Sequence, residues 1–127
     1  MRKLLQWLLG LFGAVAMIIA SLHIALGPAA IPGSVPVNAT MDSEDRFYAT
    51  LFLGFGATLA WCVRDVERKA RVIYALMGVF FVGGIARLVS VAAVGPPNAF
   101  FIAMTVLELA LPFLYAGLAR SVARSAA

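Results

Sequence analysis

Four long apolar runs, separated by three polar or proline-rich breaks, set the pattern of this chain. The first covers residues 4–26 and is interrupted only by Gln6, Ser21 and His23. A helix rises about 1.5 Å per residue, so a run of this length crosses a hydrocarbon layer of roughly 30 Å. Further apolar runs cover residues 46–63, 72–94 and 99–119. The first break begins with three prolines (Pro28, Pro32, Pro36) and two glycines (Gly27, Gly33), which make a spanning helix there implausible. Asp42-Ser43-Glu44-Asp45 ends the break and suits a helix start, where acidic side chains satisfy free amides and favour the macrodipole. The expected helix begins at about Arg46, leaving an outward loop over 27–45. A charged turn over 64–71 and a tight Gly95-Pro96-Pro97-Asn98 connection join the remaining runs. The pattern predicts an all-α fold: one domain over 1–127, a polytopic membrane protein built as an antiparallel four-helix transmembrane bundle.

Composition supports a chain solvated by lipid. Of its 127 residues 63% are apolar and 13% charged, against about a quarter charged in soluble domains. The net charge of +4 does not point to nucleic acid, because the cations cluster beside apolar runs and no basic stripe is interleaved with aromatics. Arg2, Lys3, Arg64, Arg68, Lys69, Arg71, Arg120 and Arg124 fall on one side of the expected layer, and only Arg46 falls on the other outside the spans. The positive-inside rule then places both termini in the cytoplasm and the protein in the plasma (inner) membrane. Met1-Arg2-Lys3 before an apolar run resembles a secretory signal, with Pro28-Ala29-Ala30 as an apparent cleavage site. The run exceeds a signal core and three more spans follow, so it reads as a retained helix.

Cys62 is the sole cysteine and His23 the sole histidine. An intramolecular disulfide is impossible, and no metal site or cofactor is expected. Small residues offer packing seams. They are Gly13, Ala16 and Ala20 in the first run, Thr50, Gly54 and Thr58 in the second, and Gly78, Gly83 and Gly84 in the third. Phe80, Phe81, Phe100 and Phe101 read as ordinary core or lipid-facing aromatics.

Three ionisable residues, His23, Arg87 and Glu108, lie inside the spans, where such groups are costly and pair or line a cavity. Arg87 lies about 12 Å of helical rise before Gly95, and Glu108 about 16 Å after Pro97. Adjacent antiparallel helices would bring the two to similar depth. His23 lies nearer the outer mouth, and Arg46 and Tyr48 enter from the second helix. Thr105, Glu108, Pro112 and Tyr115 recur at three- or four-residue steps, a single polar stripe on the fourth helix. Pro112 has no amide hydrogen, so the Glu108 carbonyl loses its usual donor. Arg87 and Glu108 read in two ways, as a structural ion pair or as part of a ligand site with His23, Arg46 and Tyr48. In the second reading Arg87 holds an anionic or carbonyl group while Glu108 or His23 exchanges protons.

These residues also carry a resemblance. His23, the Gly27–Pro36 loop and Asp42-Ser43-Glu44-Asp45-Arg46-Phe47-Tyr48 running into Leu51-Phe52-Leu53-Gly54 form its first part. Gly83-Gly84-Ile85-Ala86-Arg87-Leu88, Gly95-Pro96-Pro97 and Glu108-Leu109 followed by Pro112 complete it. The chain resembles a bacterial family of small four-helix membrane proteins catalogued as a domain of unknown function, number 4345. The resemblance implies a four-helix membrane fold and brings no established activity.

Three function classes follow. The first is an accessory or lipid-binding subunit of an inner-membrane assembly, partnered by membrane lipids and by a larger complex or further copies of itself. The second is a small intramembrane enzyme acting on an isoprenoid, quinone or sterol-like substrate, with Glu108 and His23 as acid–base candidates. The third is a proton-coupled small transporter. No phosphate-binding glycine loop, Ser-His-Asp order or zinc signature is present, which sets aside hydrolases and nucleotide binders.

Overall fold

The computed structural model describes residues 1–127 and is helical nearly throughout, with no strand. Four long helices follow in order: α1 (Arg2–Leu26), α2 (Ala39–Cys62), α3 (Ala70–Val94) and α4 (Ala99–Ser125). Short 3₁₀ turns follow α1 at Gly27–Ala30 and α2 at Val63–Asp65. All four long helices have the length and apolar composition to cross a membrane, which supports a multi-pass membrane protein.

Helix bounds depart from the sequence reading at two places, each for a local reason. α2 starts at Ala39, seven residues before the expected Arg46. Asn38 is its cap, and the side-chain oxygen accepts the Met41 amide at 2.9 Å. Asp42, Glu44 and Asp45 therefore lie inside the first two helical turns and do not cap it. α4 continues to Ser125, past the expected end at 119, because nothing in Arg120-Ser121-Val122-Ala123-Arg124 breaks a helix.

The chain divides into two compact units, one of residues 7–63 and one of residues 1–6 with 64–127. In the first, α1 and α2 run antiparallel and meet at two glycines. A Cβ added to Gly13 would lie 2.8 Å from the Gly56 carbonyl oxygen, and one added to Gly56 would lie 2.9 Å from the Gly13 oxygen. Small residues of this kind let helix backbones approach in lipid. Phe12 sits edge-on to Phe55 beside this crossing, at 5.7 Å between ring centroids.

The seams expected at Gly54, Gly78 and Gly83 are absent, since a Cβ at any of them meets no atom within 4 Å. Thr50 and Thr58 turn their hydroxyls back to their own helix, onto the Phe47 and Gly54 carbonyls. In the second unit α3 and α4 are antiparallel and close at Gly84, where a Cβ would lie 2.9 Å from a Leu109 methyl group. One helical turn away, Phe81 packs edge-on against Phe113.

The Gly13 crossing yields a contrast. Gly13→Ala would strike backbone that cannot rotate away, so it is expected to destabilise the fold by about 1–3 kcal/mol. Gly54→Ala has open space and is expected to be neutral or to stabilise by up to about 1 kcal/mol through helix propensity. Unfolding of both variants in detergent measures the contrast, and equal effects would place the seam elsewhere.

Candidate functional site

In the α3–α4 unit, the stripe foreseen on α4 forms a buried face: Thr105, Glu108, Pro112 and Tyr115 are all buried. The Thr105 hydroxyl donates to the Phe101 carbonyl at 2.7 Å and so stays within its own helix. Glu108 has the one carboxylate on this face. Its Oε2 accepts from Arg87 Nε at 2.6 Å, across from α3 to α4. The two partners differ in access: the Glu108 side chain is 8% exposed and that of Arg87 38%.

The guanidinium lies over the Phe101 ring, with Cζ 5.2 Å from its centroid. A cation against the negative face of an aromatic ring is stabilised electrostatically, the more so away from water. Arg87 thus bonds Glu108 through Nε and sets its guanidinium carbon over Phe101. Its two terminal nitrogens, with two N–H donors each, make no hydrogen bond within the chain, and the side chain is partly exposed. Phe101 belongs to the α4 stripe, two turns before Glu108, so the spacing that marks the stripe also includes it.

In the unit of residues 7–63, the other polar residues serve a different purpose. Arg46 donates from Nε and one terminal nitrogen to the two carboxylate oxygens of Asp42, at 2.8 and 3.2 Å. Its other terminal nitrogen donates to the Ile24 and Ala25 carbonyls, at 2.7 and 3.2 Å. Those are among the last carbonyls of α1, which have no donor inside their own helix. Arg46 therefore caps one helix from another, and its donors are committed to the chain.

Gly27 completes this clamp. Its φ is +63°, a conformation other residues rarely adopt, and a Cβ there would lie 2.6 Å from an Asp42 carboxylate oxygen. His23 Nδ1 lies 3.1 and 3.2 Å from the Asp45 carboxylate oxygens, and both side chains are about four-fifths buried. Carboxylate oxygens accept, so Nδ1 carries the donated hydrogen. Tyr48 is exposed; its ring packs on Phe47 and its hydroxyl bonds nothing in the chain. An open cavity of about 520 Å³ lies beneath the proline-rich segment, lined by Leu26, Pro28, Ile31, Val35, Val37 and Asp42 among others. Asp42 already faces Arg46, so the cavity offers no uncommitted charge.

Of the residues singled out in the sequence, then, the structure joins Arg87 to Glu108 within one unit. It gives His23 and Arg46 partners in the other unit, Asp45 and Asp42. The Asp42–Arg46 pair has the i,i+4 spacing of a helical ion pair and was open to recognition. The His23–Asp45 pairing depends on how α1 and α2 are aligned, and local spacing carries no sign of it.

The family model described as Domain of unknown function (DUF4345) matches residues 4–119, and the chain belongs to that family. No curated protein and no solved structure matches it.

Two outcomes test these assignments. A double-mutant cycle on Arg87→Ala and Glu108→Ala, read by unfolding in detergent, is expected to give a coupling of about 1–3 kcal/mol. Glu108→Ala alone should cost more than the double variant, because it leaves an uncompensated cation. Arg46→Ala should loosen the end of α1 and the segment over 27–38. Faster amide exchange there, with α3 and α4 unchanged, is the expected reading; uniform change would refute a local clamp.

Proposed function

We propose that this protein is a lipid-binding accessory subunit of an inner-membrane assembly, with both termini in the cytoplasm and Arg87 as the anchor for its ligand. The observation that carries the reading is the division of labour at Arg87. One nitrogen is held by the buried Glu108 and the guanidinium carbon lies over Phe101, while the terminal donors bond nothing in the chain. Within a membrane span such donors need a partner, because hydrocarbon supplies none. A phosphate or carboxylate fits best, since the two terminal nitrogens of a guanidinium present parallel donors to a pair of oxygens. Glu108 and Phe101 restrain the guanidinium from two sides, which lowers the cost of ordering it when a ligand arrives.

The accessory role is supported by what the polar groups are already doing. The His23 ring is bonded to Asp45 and Arg46 to Asp42 and the end of α1, which leaves Arg87 as the open ionic group of the apolar runs. Large apolar side chains such as Leu11, Ile18, Val79, Val82 and Val89 are exposed, as suits contact with acyl chains or with neighbouring helices. The orientation rests on the eight cations beside one set of helix ends against Arg46 at the other.

Lipid co-purified with the wild type, Arg87→Ala, Arg87→Lys and Glu108→Gln proteins can be quantified by mass spectrometry. Arg87→Ala should lower retention of acidic amphiphiles about tenfold or more, the worth of a charge-assisted bond. Arg87→Lys should recover only part of it, since lysine keeps the charge and loses the paired donors. If folded Arg87→Ala and Arg87→Lys proteins retain the wild-type lipid complement, the reading fails.

A further inference from the structure

A second lipid contact, independent of Arg87, follows from the charges of the unit made by residues 1–6 and 64–127. This unit has three side-chain carboxylates, and each has a cationic partner. Glu108 accepts from Arg87, Glu67 lies 3.0 Å from Arg2, and Asp65 lies 3.9 Å from Arg68. Lys3, Arg64, Arg71, Arg120 and Arg124 are exposed and form no ion pair. The charge surplus of the unit is therefore a set of open cations and is not neutralised internally.

Their positions share a second property. Lys3 directly precedes the apolar run that begins at Leu4, and Arg64 directly follows the one that ends at Val63. Arg71 directly precedes Val72, and Arg120 directly follows Ala119. Each of these four cations marks the edge of an apolar run, and Arg124 lies one turn beyond Arg120. Side chains with an apolar stem and a charged head at such an edge place the head at the level of lipid phosphates.

We propose that these five residues form an interfacial collar that binds acidic phospholipids of the surrounding bilayer in preference to zwitterionic ones. Zwitterionic headgroups bring their own cation to the phosphate, whereas an acidic headgroup offers an uncompensated anion to a collar whose neighbouring carboxylates, Asp65 and Glu67, already face Arg68 and Arg2. Bilayer lipid is the occupant favoured over a soluble acidic partner because the cations lie against the apolar runs and not on a projecting domain. Arg2 and Arg68 contribute less, since Glu67 and Asp65 hold them.

The test uses the full chain in phosphatidylcholine bilayers with spin-labelled phosphatidylglycerol or phosphatidylcholine as the probe. The measured quantity is the fraction of each lipid held at the protein. Phosphatidylglycerol should be favoured about fivefold or more, the effect of roughly one interfacial cation. The preference should shrink at about 0.5 M salt, where charges at the surface are screened. Arg71→Gln/Arg120→Gln/Arg124→Gln should remove most of it. Equal association of the two lipids with the wild type overturns the proposal, as does an undiminished preference in the triple variant. Should the triple variant fail to fold, the salt series decides: a preference insensitive to salt is not electrostatic and sinks the collar.

Discussion

Hydrocarbon offers no hydrogen-bond partner, so every polar group that enters it must bring one along. That constraint explains the distribution of ionisable side chains here better than any motif does. Three carboxylates in or beside the apolar runs face a cation or a histidine: Asp42 faces Arg46, Asp45 faces His23 and Glu108 faces Arg87, while Glu44 is exposed. The hydroxyls of Thr50, Thr58 and Thr105 obey the same rule by turning onto carbonyls of their own helices. Asparagine side chains serve at helix starts, where Asn38 and Asn98 accept the amides of Met41 and Phe100.

Two arginines show how differently one side chain can meet that constraint. Arg46 divides its donors between Asp42 and the carbonyls of Ile24 and Ala25, which joins the end of α1 to the start of α2. It is a helix cap supplied from a neighbouring element. Arg87 is held by a single nitrogen and by the Phe101 ring beneath its guanidinium carbon, which leaves the terminal donors without a partner in the chain. Sequence position alone ranks the two together, as cations in or near spans. Only the partner count separates a structural arginine from a candidate anchor.

The helical architecture was legible because a membrane span is long and nearly uniform in composition, and its ends carry strong breakers such as Gly95-Pro96-Pro97. The Arg87–Glu108 depth match was legible too, since a short connection fixes the relation of two antiparallel helices. The start of α2 is less legible, because Asp42, Glu44 and Asp45 suit a helix start while the residue that accepts the Met41 amide, Asn38, lies just ahead of them. Helix seams were misread for a related reason. Small residues at four-residue spacing show where close approach is permitted, but which face meets a neighbour is a matter of helix rotation. Gly54 and Gly13 look alike in sequence, and only Gly13 touches another backbone.

Packing and charge are joined in the α3–α4 unit through Gly84. It lies three residues before Arg87, on the turn below it. A Cβ at this position would come within 3.1 Å of the Glu108 Cβ and 2.9 Å of a Leu109 methyl group. The missing side chain lets α4 draw near α3 beside the ion pair. Close approach in turn lets Arg87 reach Glu108 through Nε, part-way along the side chain, and not through its tip. A wider separation would oblige the terminal nitrogens to span the gap, and those donors would then be consumed by the carboxylate. The glycine thus determines which part of the guanidinium is left open, and the chemistry proposed for Arg87 depends on a residue that has no side chain at all.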